Sequence, residues 1–206
     1  MKIIGAGKRA AICPVCRSSD RVRLIYLYLR DHTRVFKRPC KILHVAPERA
    51  LSRIFRNLRY MQYHPADLHP EEDMEKMDIT GIPYPEDTFD LILCNHVLEH
   101  IPDDLQAMKE LFRVLKPDGL AVIQVPLSPV LTSTYEDPEV TREEDRERTF
   151  GQKDHVRIYG MDYPDRLSNA GFRVIEYRWN EEGGHDYPGK LFGLNEEEIL
   201  FLGKKT

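Results

Sequence analysis

Phe89-Asp-Leu-Ile-Leu-Cys-Asn-His-Val-Leu-Glu-His-Ile101, followed by Leu111-Phe-Arg-Val-Leu-Lys-Pro-Asp-Gly-Leu120, decides how this chain folds. Phe89 to Leu93 is apolar without alternation, the pattern of a strand covered on both faces. Asn95-His96 breaks the run with two hydrogen-bonding side chains. Pro102 suits the first turn of a helix, where a missing N–H costs little, and Asp103 and Asp104 favour the positive helix end. Leu105, Met108, Leu111, Phe112 and Leu115 recur at helical spacing and predict one buried stripe. Pro117-Asp-Gly119 stops the helix and turns the chain. Leu120 to Val125 is a second uninterrupted apolar strand. Strand, helix and strand of this length make a right-handed βαβ unit in a parallel sheet.

The rest of the chain extends that unit. Ile42 to Ala46 reads as the first strand, and Pro47 and Glu48 open a helix running to about Asn57 with Leu51, Ile54, Phe55 and Leu58 inward. Arg59 to Tyr63 is the second strand, ending in His64-Pro65-Ala66-Asp67. Residues 71 to 77 are acidic and ambiguous, and Asp78-Ile79-Thr80 sits where a third strand ends. Asp162 to Ala170 is a helix closed by Gly171. Phe172–Trp179 and Glu198–Gly203 are the last two strands. Residues 127 to 160 form a long connection with a charged centre, Glu143 to Arg148, and a connection of that length in a compact domain is usually a lid or an excursion. Ahead of the sheet, Val22 to Leu29 predicts a leading helix that packs on it. The expected division is residues 1–38 as a Cys-x-x-Cys turn with that helix, and 39–206 as the main domain with the lid at about 127–160.

Bulk properties exclude several classes. A net charge of −4 argues against non-specific nucleic-acid binding. No apolar run approaches the ~20 residues of a membrane helix, and the start lacks the apolar core of a signal peptide. Four cysteines in 206 residues are no disulfide framework, so a reducing cytoplasm is the simplest setting. Cys13-Pro-Val-Cys16 has the spacing of half a metal site. Cys40 and Cys94 belong at opposite ends of the sheet, so a four-cysteine site is not expected and no metal is assigned; supplementation by Cys40 or a histidine, or a redox role, stays open for the pair. Arg17, Arg21 and Arg23 read as solvated helix charges or a small anion site.

These ordered blocks, Phe89-Asp with Asn95 and Leu98-Glu-His100, then Leu115-Lys-Pro-Asp-Gly119, resemble the class I S-adenosylmethionine-dependent methyltransferases, in their type 11-like branch, over roughly residues 40 to 206. The resemblance implies a Rossmann-like α/β fold in three layers, with a mostly parallel seven-stranded sheet and an antiparallel C-terminal hairpin. It implies S-adenosylmethionine as cofactor and S-adenosylhomocysteine as product.

In such a sheet the ligand lies beyond the carboxyl ends of the strands, at the switch in strand order. Four polar tips converge there. Asp67, with Leu68 beside it, matches the position that takes both ribose hydroxyls. Asp78 and Ile79 match the adenine site, the carboxylate for the exocyclic amine and the apolar side chain against the ring. Asn95 and His96 match the methionine end. The remaining tip departs from the family. Its first motif is normally an acidic residue and Gly-x-Gly-x-Gly, whereas this chain has His44-Val-Ala46-Pro47-Glu48-Arg-Ala50 without glycine. Ala46 is small enough for close approach, Pro47 pre-sets a turn, and Glu48 can reach the cofactor's amino group. His44 reads as a structural hydrogen-bonder, and Glu99-His100 as a pair that orients the following loop.

Methyl transfer needs positioning, and a base when the acceptor is a hydroxyl or protonated amine. His155, Arg157 and Tyr159 alternate and share one face of an extended segment. They are the candidates for base, anion clamp and aromatic wall; the other reading is that the segment latches the insertion to the domain. His155 is the first choice as base, then His96, then His185, because imidazole titrates near neutrality. Arg157, Tyr159 and Tyr187 are the expected acceptor contacts. The acidic balance and charged lid point to a small-molecule acceptor, a sugar or natural-product intermediate methylated on O or N, with no nucleic-acid or membrane partner. The alternatives are a non-catalytic binding or regulatory protein with an eroded cofactor loop, and an enzyme on this scaffold using another nucleotide-like ligand.

Overall fold

The computed structural model describes residues 2–4, 9–182 and 192–206. A short hairpin, β1 (Lys2–Ile4) and β2 (Arg9–Ile12), precedes α1 (Asp20–His32), whose first turn is capped by the Ser19 side chain. The βα units follow as β3 (Cys40–Val45), α2 (Arg49–Arg56), β4 (Met61–Asp67) and the two-residue β5 (Glu75–Lys76). Next come β6 (Phe89–Asn95), a 3-10 turn at Leu98–His100, α3 (Asp104–Val114) and β7 (Leu115–Gln124). The chain ends with α5 (Tyr163–Asn169), β10 (Arg173–Tyr177), α6 (Trp179–Glu182) and β11 (Leu200–Lys204), after an excursion that carries β8 (Tyr135–Glu136), α4 (Glu143–Phe150) and β9 (Arg157–Ile158).

Seven strands join in the order β10-β11-β7-β6-β3-β4-β5, with β5, β4, β3, β6 and β7 parallel and β11 antiparallel to both neighbours. The order reverses between β3 and β6, where Val45 lies beside Cys94. Leu91, Ile92 and Leu93 are all fully buried because both sheet faces are covered. Leu43, Ile92 and Ala121 face α3 and α5; Ile42, Leu91, Leu93 and Val122 face α1 and α2. Each such side chain contributes about 1.5–3 kcal/mol of burial. Leu24, Ile25, Leu27 and Leu29 of α1 belong to that second cluster, so the leading helix packs on the sheet as expected.

The α3 stripe is one correction. Leu105 is exposed, and the buried positions are Asp104, Ala107, Met108, Leu111 and Val114. Asp103 caps the helix by accepting from the Gln106 amide at 3.0 Å. That start sets the phase and turns the acidic Asp104, not Leu105, inward.

The 127–160 connection has structure of its own. β8 and β9 pair antiparallel, Tyr135 with Ile158 and Glu136 with Arg157. Gly160 closes against this hairpin so tightly that a Cβ there would lie 2.5 Å from the Ser133 carbonyl carbon. Only glycine fits that approach.

Candidate active site

The tips of β3 and β6 turn in the same way. Ala46 has φ +45° and His96 has φ +56°, both left-handed. Each amide still bonds to the neighbouring strand, Ala46 N to Ala66 O at 2.8 Å and His96 N to Gln124 O at 2.7 Å. The glycine-free loop thus holds a backbone conformation that glycine ordinarily supplies. Alanine, with the smallest side chain other than glycine, leaves the space in front of β3 open.

A cavity of about 530 Å³ lies at this switch point. Ala46, Asp67, Leu68, Asp78, Ile79 and His96 line it, so six of the residues expected around a cofactor come together. Asp67 Oδ1 accepts from the His69 amide at 2.8 Å, and Asp78 Oδ1 from the Thr80 amide at 2.9 Å and hydroxyl at 2.7 Å. These Asx-type turns fix both carboxylates beside the cavity and leave the other oxygen of each for a ligand. Ile79 is 3% exposed and supplies apolar wall.

Pro47 lies elsewhere, in a surface depression with Arg49, Ser52 and Glu71. Glu48 and Asn95 do not line the cavity; they are joined to each other, Asn95 Nδ2 donating to Glu48 Oε1 at 3.0 Å. His44, wholly buried, holds Glu48 Oε2 at 2.6 Å through Nε2 and meets the Tyr63 hydroxyl at 3.0 Å through Nδ1. Burial pushes the Glu48 carboxyl up, but the hydrogen bond and charge of His44 outweigh it and hold Glu48 below the usual carboxylate range. Asn95 Oδ1 is buried without a hydrogen-bond partner among the described residues. An ionised carboxylate beside an unused amide oxygen suits a cationic amine, and the carboxylates of Asp67 and Asp78 suit hydroxyl and amine donors. The residues present therefore fit S-adenosylmethionine.

A second cavity, of about 580 Å³, opens on the β7–β11 side. Arg21, Val125, Leu127, Arg178, Glu198 and Phe201 are among its walls. Arg21 Nη1 meets His96 Nε2 at 3.0 Å, and Arg21 Nε lies 3.1 Å from Glu198. His96 borders the first cavity and Arg21 the second, so this pair stands between the two. The sequence marked Arg21 as a helix charge or part of a small anion site, since nothing local signals a partner 75 residues away.

The other expected acceptor contacts are placed differently. Arg157 is 2% exposed and points into the protein. Its Nη1 donates to the carbonyls of Leu98 and Ile101, and its Nη2 to Pro102 O at 2.9 Å. Tyr159, fully buried, donates to Asp104 Oδ2 at 2.6 Å; burial and the Asp104 charge push its hydroxyl far up. Arg166 Nη2 completes the group on both Asp104 oxygens, at 2.7 and 2.8 Å. Arg157 and Tyr159 are thus the latch that fastens the excursion to α3, not a clamp and wall for an acceptor. Alternation showed that they share a face; it did not show that the face turns inward. His155 is 5% exposed, edge-on to the His100 ring at 4.8 Å, and lines neither cavity. His185 and Tyr187 lie outside the described residues.

Cys16 is exposed and Cys13 half-buried. Hydrogen bonds from the Ser18 side chain and backbone bring the Cys16 thiol down to about 7. Cys40 begins β3 and Cys94 lies near the end of β6, the opposite ends anticipated from the sequence.

An open α/β sheet with two acidic turns around a cavity at its switch point defines the class I methyltransferase architecture. The chain belongs to the methyltransferase domain family, whose sequence profile matches residues 9–177. It is 31% identical over 137 residues to the demethylmenaquinone methyltransferase of Lysinibacillus sphaericus strain C3-41, covering 64% of this chain and 50% of that protein. The chain spans about half the length of the curated relatives it matches. Its fold is similar to that of the Burkholderia thailandensis 1,6-didemethyltoxoflavin-N1-methyltransferase with bound S-adenosylhomocysteine, at TM-score 0.59 and 16% identity, covering 91% of this chain and 78% of that one. It is also similar to the cyclase SpnF, at TM-score 0.58 and 14% identity over 96% and 87% of the two chains. No helix among the described residues is long and apolar enough to cross a membrane.

Proposed function

We propose that this protein transfers the methyl group of S-adenosylmethionine to a small organic acceptor. The observation that carries the reading is the cavity at the β3–β6 switch point with Asp67, Asp78, Ile79 and left-handed Ala46 on its walls. When bound, S-adenosylmethionine supplies a methyl group on a sulfonium, open to in-line displacement. Asp67 receives the ribose hydroxyls, Asp78 the adenine amine, and Ile79 covers the ring. Glu48 and Asn95, which do not line the cavity, brace the β3 and β6 tips through their mutual hydrogen bond. The names of the relatives, methyltransferases of demethylmenaquinone and 1,6-didemethyltoxoflavin, support a small organic acceptor, as does the mixed apolar and charged second cavity. His96 stands between the cavities and is the best-placed base once Arg21, which donates to its Nε2 at 3.0 Å, releases that lone pair. The eroded-loop alternative loses its main support, because Ala46 keeps the backbone of a functional turn.

Calorimetry with S-adenosylhomocysteine tests this. Wild-type protein should bind it and Asp67→Ala should bind it at least about tenfold more weakly, since hydrogen bonds to the ribose are worth roughly 1.5–3 kcal/mol when charge-assisted. Absence of binding at millimolar ligand would refute the proposal.

A further inference from the structure

Three side chains outside the cofactor residues meet below the cavity. Glu99 and His100 come from the 3-10 turn after β6, and His155 from the returning excursion. One donor atom from each lies within 4.8 Å of the others. Glu99 is 1% exposed, and its Oε2 is buried with no hydrogen-bond partner among the described residues, while Oε1 lies 3.4 Å from His96 Nδ1. A lone buried carboxylate oxygen beside two imidazoles is costly unless a cation completes it.

We propose that Glu99, His100 and His155 bind a divalent transition-metal ion. Two imidazoles and one carboxylate suit zinc, cobalt or nickel rather than calcium or magnesium, which prefer all-oxygen shells. Metal–ligand distances of about 2.0–2.2 Å set tetrahedral donor separations near ~3.4 Å, so the three donors draw together from their present separations of up to 4.8 Å on binding. The surroundings are those of a built site. Asp154 Oδ2 lies 3.2 Å from His100 Nδ1, an outer carboxylate that fixes an imidazole tautomer. The backbone hydrogen bond from Val156 N to Glu99 O, 2.9 Å, and the Arg157 bond to Leu98 O, 2.7 Å, pin the two segments together. Three protein ligands leave a position open, and His100 and Asp154 are on the cavity wall, so an oxygen of a bound small molecule can complete the shell. This site does not depend on the methyl-transfer reading.

Cobalt(II) titration of a Cys13→Ser/Cys16→Ser double variant, which removes the thiolates that would compete, decides the matter. The expected result is one equivalent bound, with weak visible absorption and no sulfur-to-cobalt charge transfer. Adding His100→Ala or Glu99→Gln to that background should weaken binding by about tenfold or more. His100 is at the cavity edge and its truncation leaves the core intact, so it decides the case if the Glu99 variant fails to fold. No cobalt or zinc binding at 100 µM metal, or equal affinity in the His100 variant, overturns the proposal, and S-adenosylhomocysteine binding to the same samples reports on the cofactor site separately.

Discussion

At the level of single residues, the first motif shows how one position can keep a backbone while changing its sequence. Ala46 sits at φ +45°, where an L side chain costs about 1–2 kcal/mol. Ala46→Gly should relieve that strain but add unfolded-state freedom worth roughly 0.5–1 kcal/mol. The expected net gain is about 0–1.5 kcal/mol in urea unfolding, with no loss of cofactor affinity; a destabilised variant would show that the loop is not strained. Cys16 offers a second measurement at this scale. With its thiol at about 7, it is substantially thiolate at neutral pH, while burial pushes Cys40 up to about 12 and Cys94 higher still. Iodoacetamide at pH 7 should modify Cys16 well before those two, as read by peptide mass spectrometry, and Ser18→Ala should slow it. Residues of this kind were unevenly legible in the sequence. Asp67 and Asp78 could be found because a carboxylate just past a strand end has a fixed place in an open α/β sheet. The pairing of Arg21 with His96, and the approach of His155 to Glu99, could not, because each depends on distant segments folding back.

At the level of elements, the excursion after β7 is more than a loop. It carries its own hairpin and helix and is held by one buried guanidinium. Arg157 satisfies three backbone carbonyls at the entrance to α3 and lies 3.7 Å from Asp104. Removing it leaves those acceptors and part of the Asp104 charge buried without a partner. Arg157→Ala should therefore cost about 3–5 kcal/mol, a fall in Tm of roughly 6–20 °C for a chain of this size. Arg157→Lys should recover little, because an ammonium cannot span the same carbonyls as a planar fork. A Tm within 2 °C of wild type would rule out the latch. The strands around it were readable to within a few residues, since uninterrupted apolar runs signal them directly. Met108 and Leu111 of α3 are buried as the spacing predicts, but its first turn was not legible, because Leu105 fits the apolar pattern while the Asp103 cap and the Asp104–Arg166 pair turn Asp104 inward instead. A buried acid is invisible to hydrophobic periodicity until its partner is known.

At the level of the whole molecule, the sheet brings its charged tips to one edge and ties stability to their ionisation. Glu48 links β3, through His44, to β6, through Asn95, across the switch point. Its carboxyl is held below the usual range in the folded protein, so the folded state keeps it ionised where the unfolded chain has already taken up a proton. The stability this contributes is complete above the unfolded carboxyl value of ~4.3 and is lost as pH falls through the lower folded value. Glu110 and Asp31 are also held low, by their hydrogen bonds to Arg113 and Arg30, and add to the same acid limb from the surface. Glu48→Gln removes only the switch-point share. Urea unfolding at a series of pH values should show wild-type stability falling below pH ~4.3 and the variant falling less steeply over that window. The offset between the two should be largest near neutral pH and shrink as the solution becomes more acid. Parallel curves would mean that Glu48 titrates alike in both states and that His44 and Asn95 do not couple the two halves of the sheet.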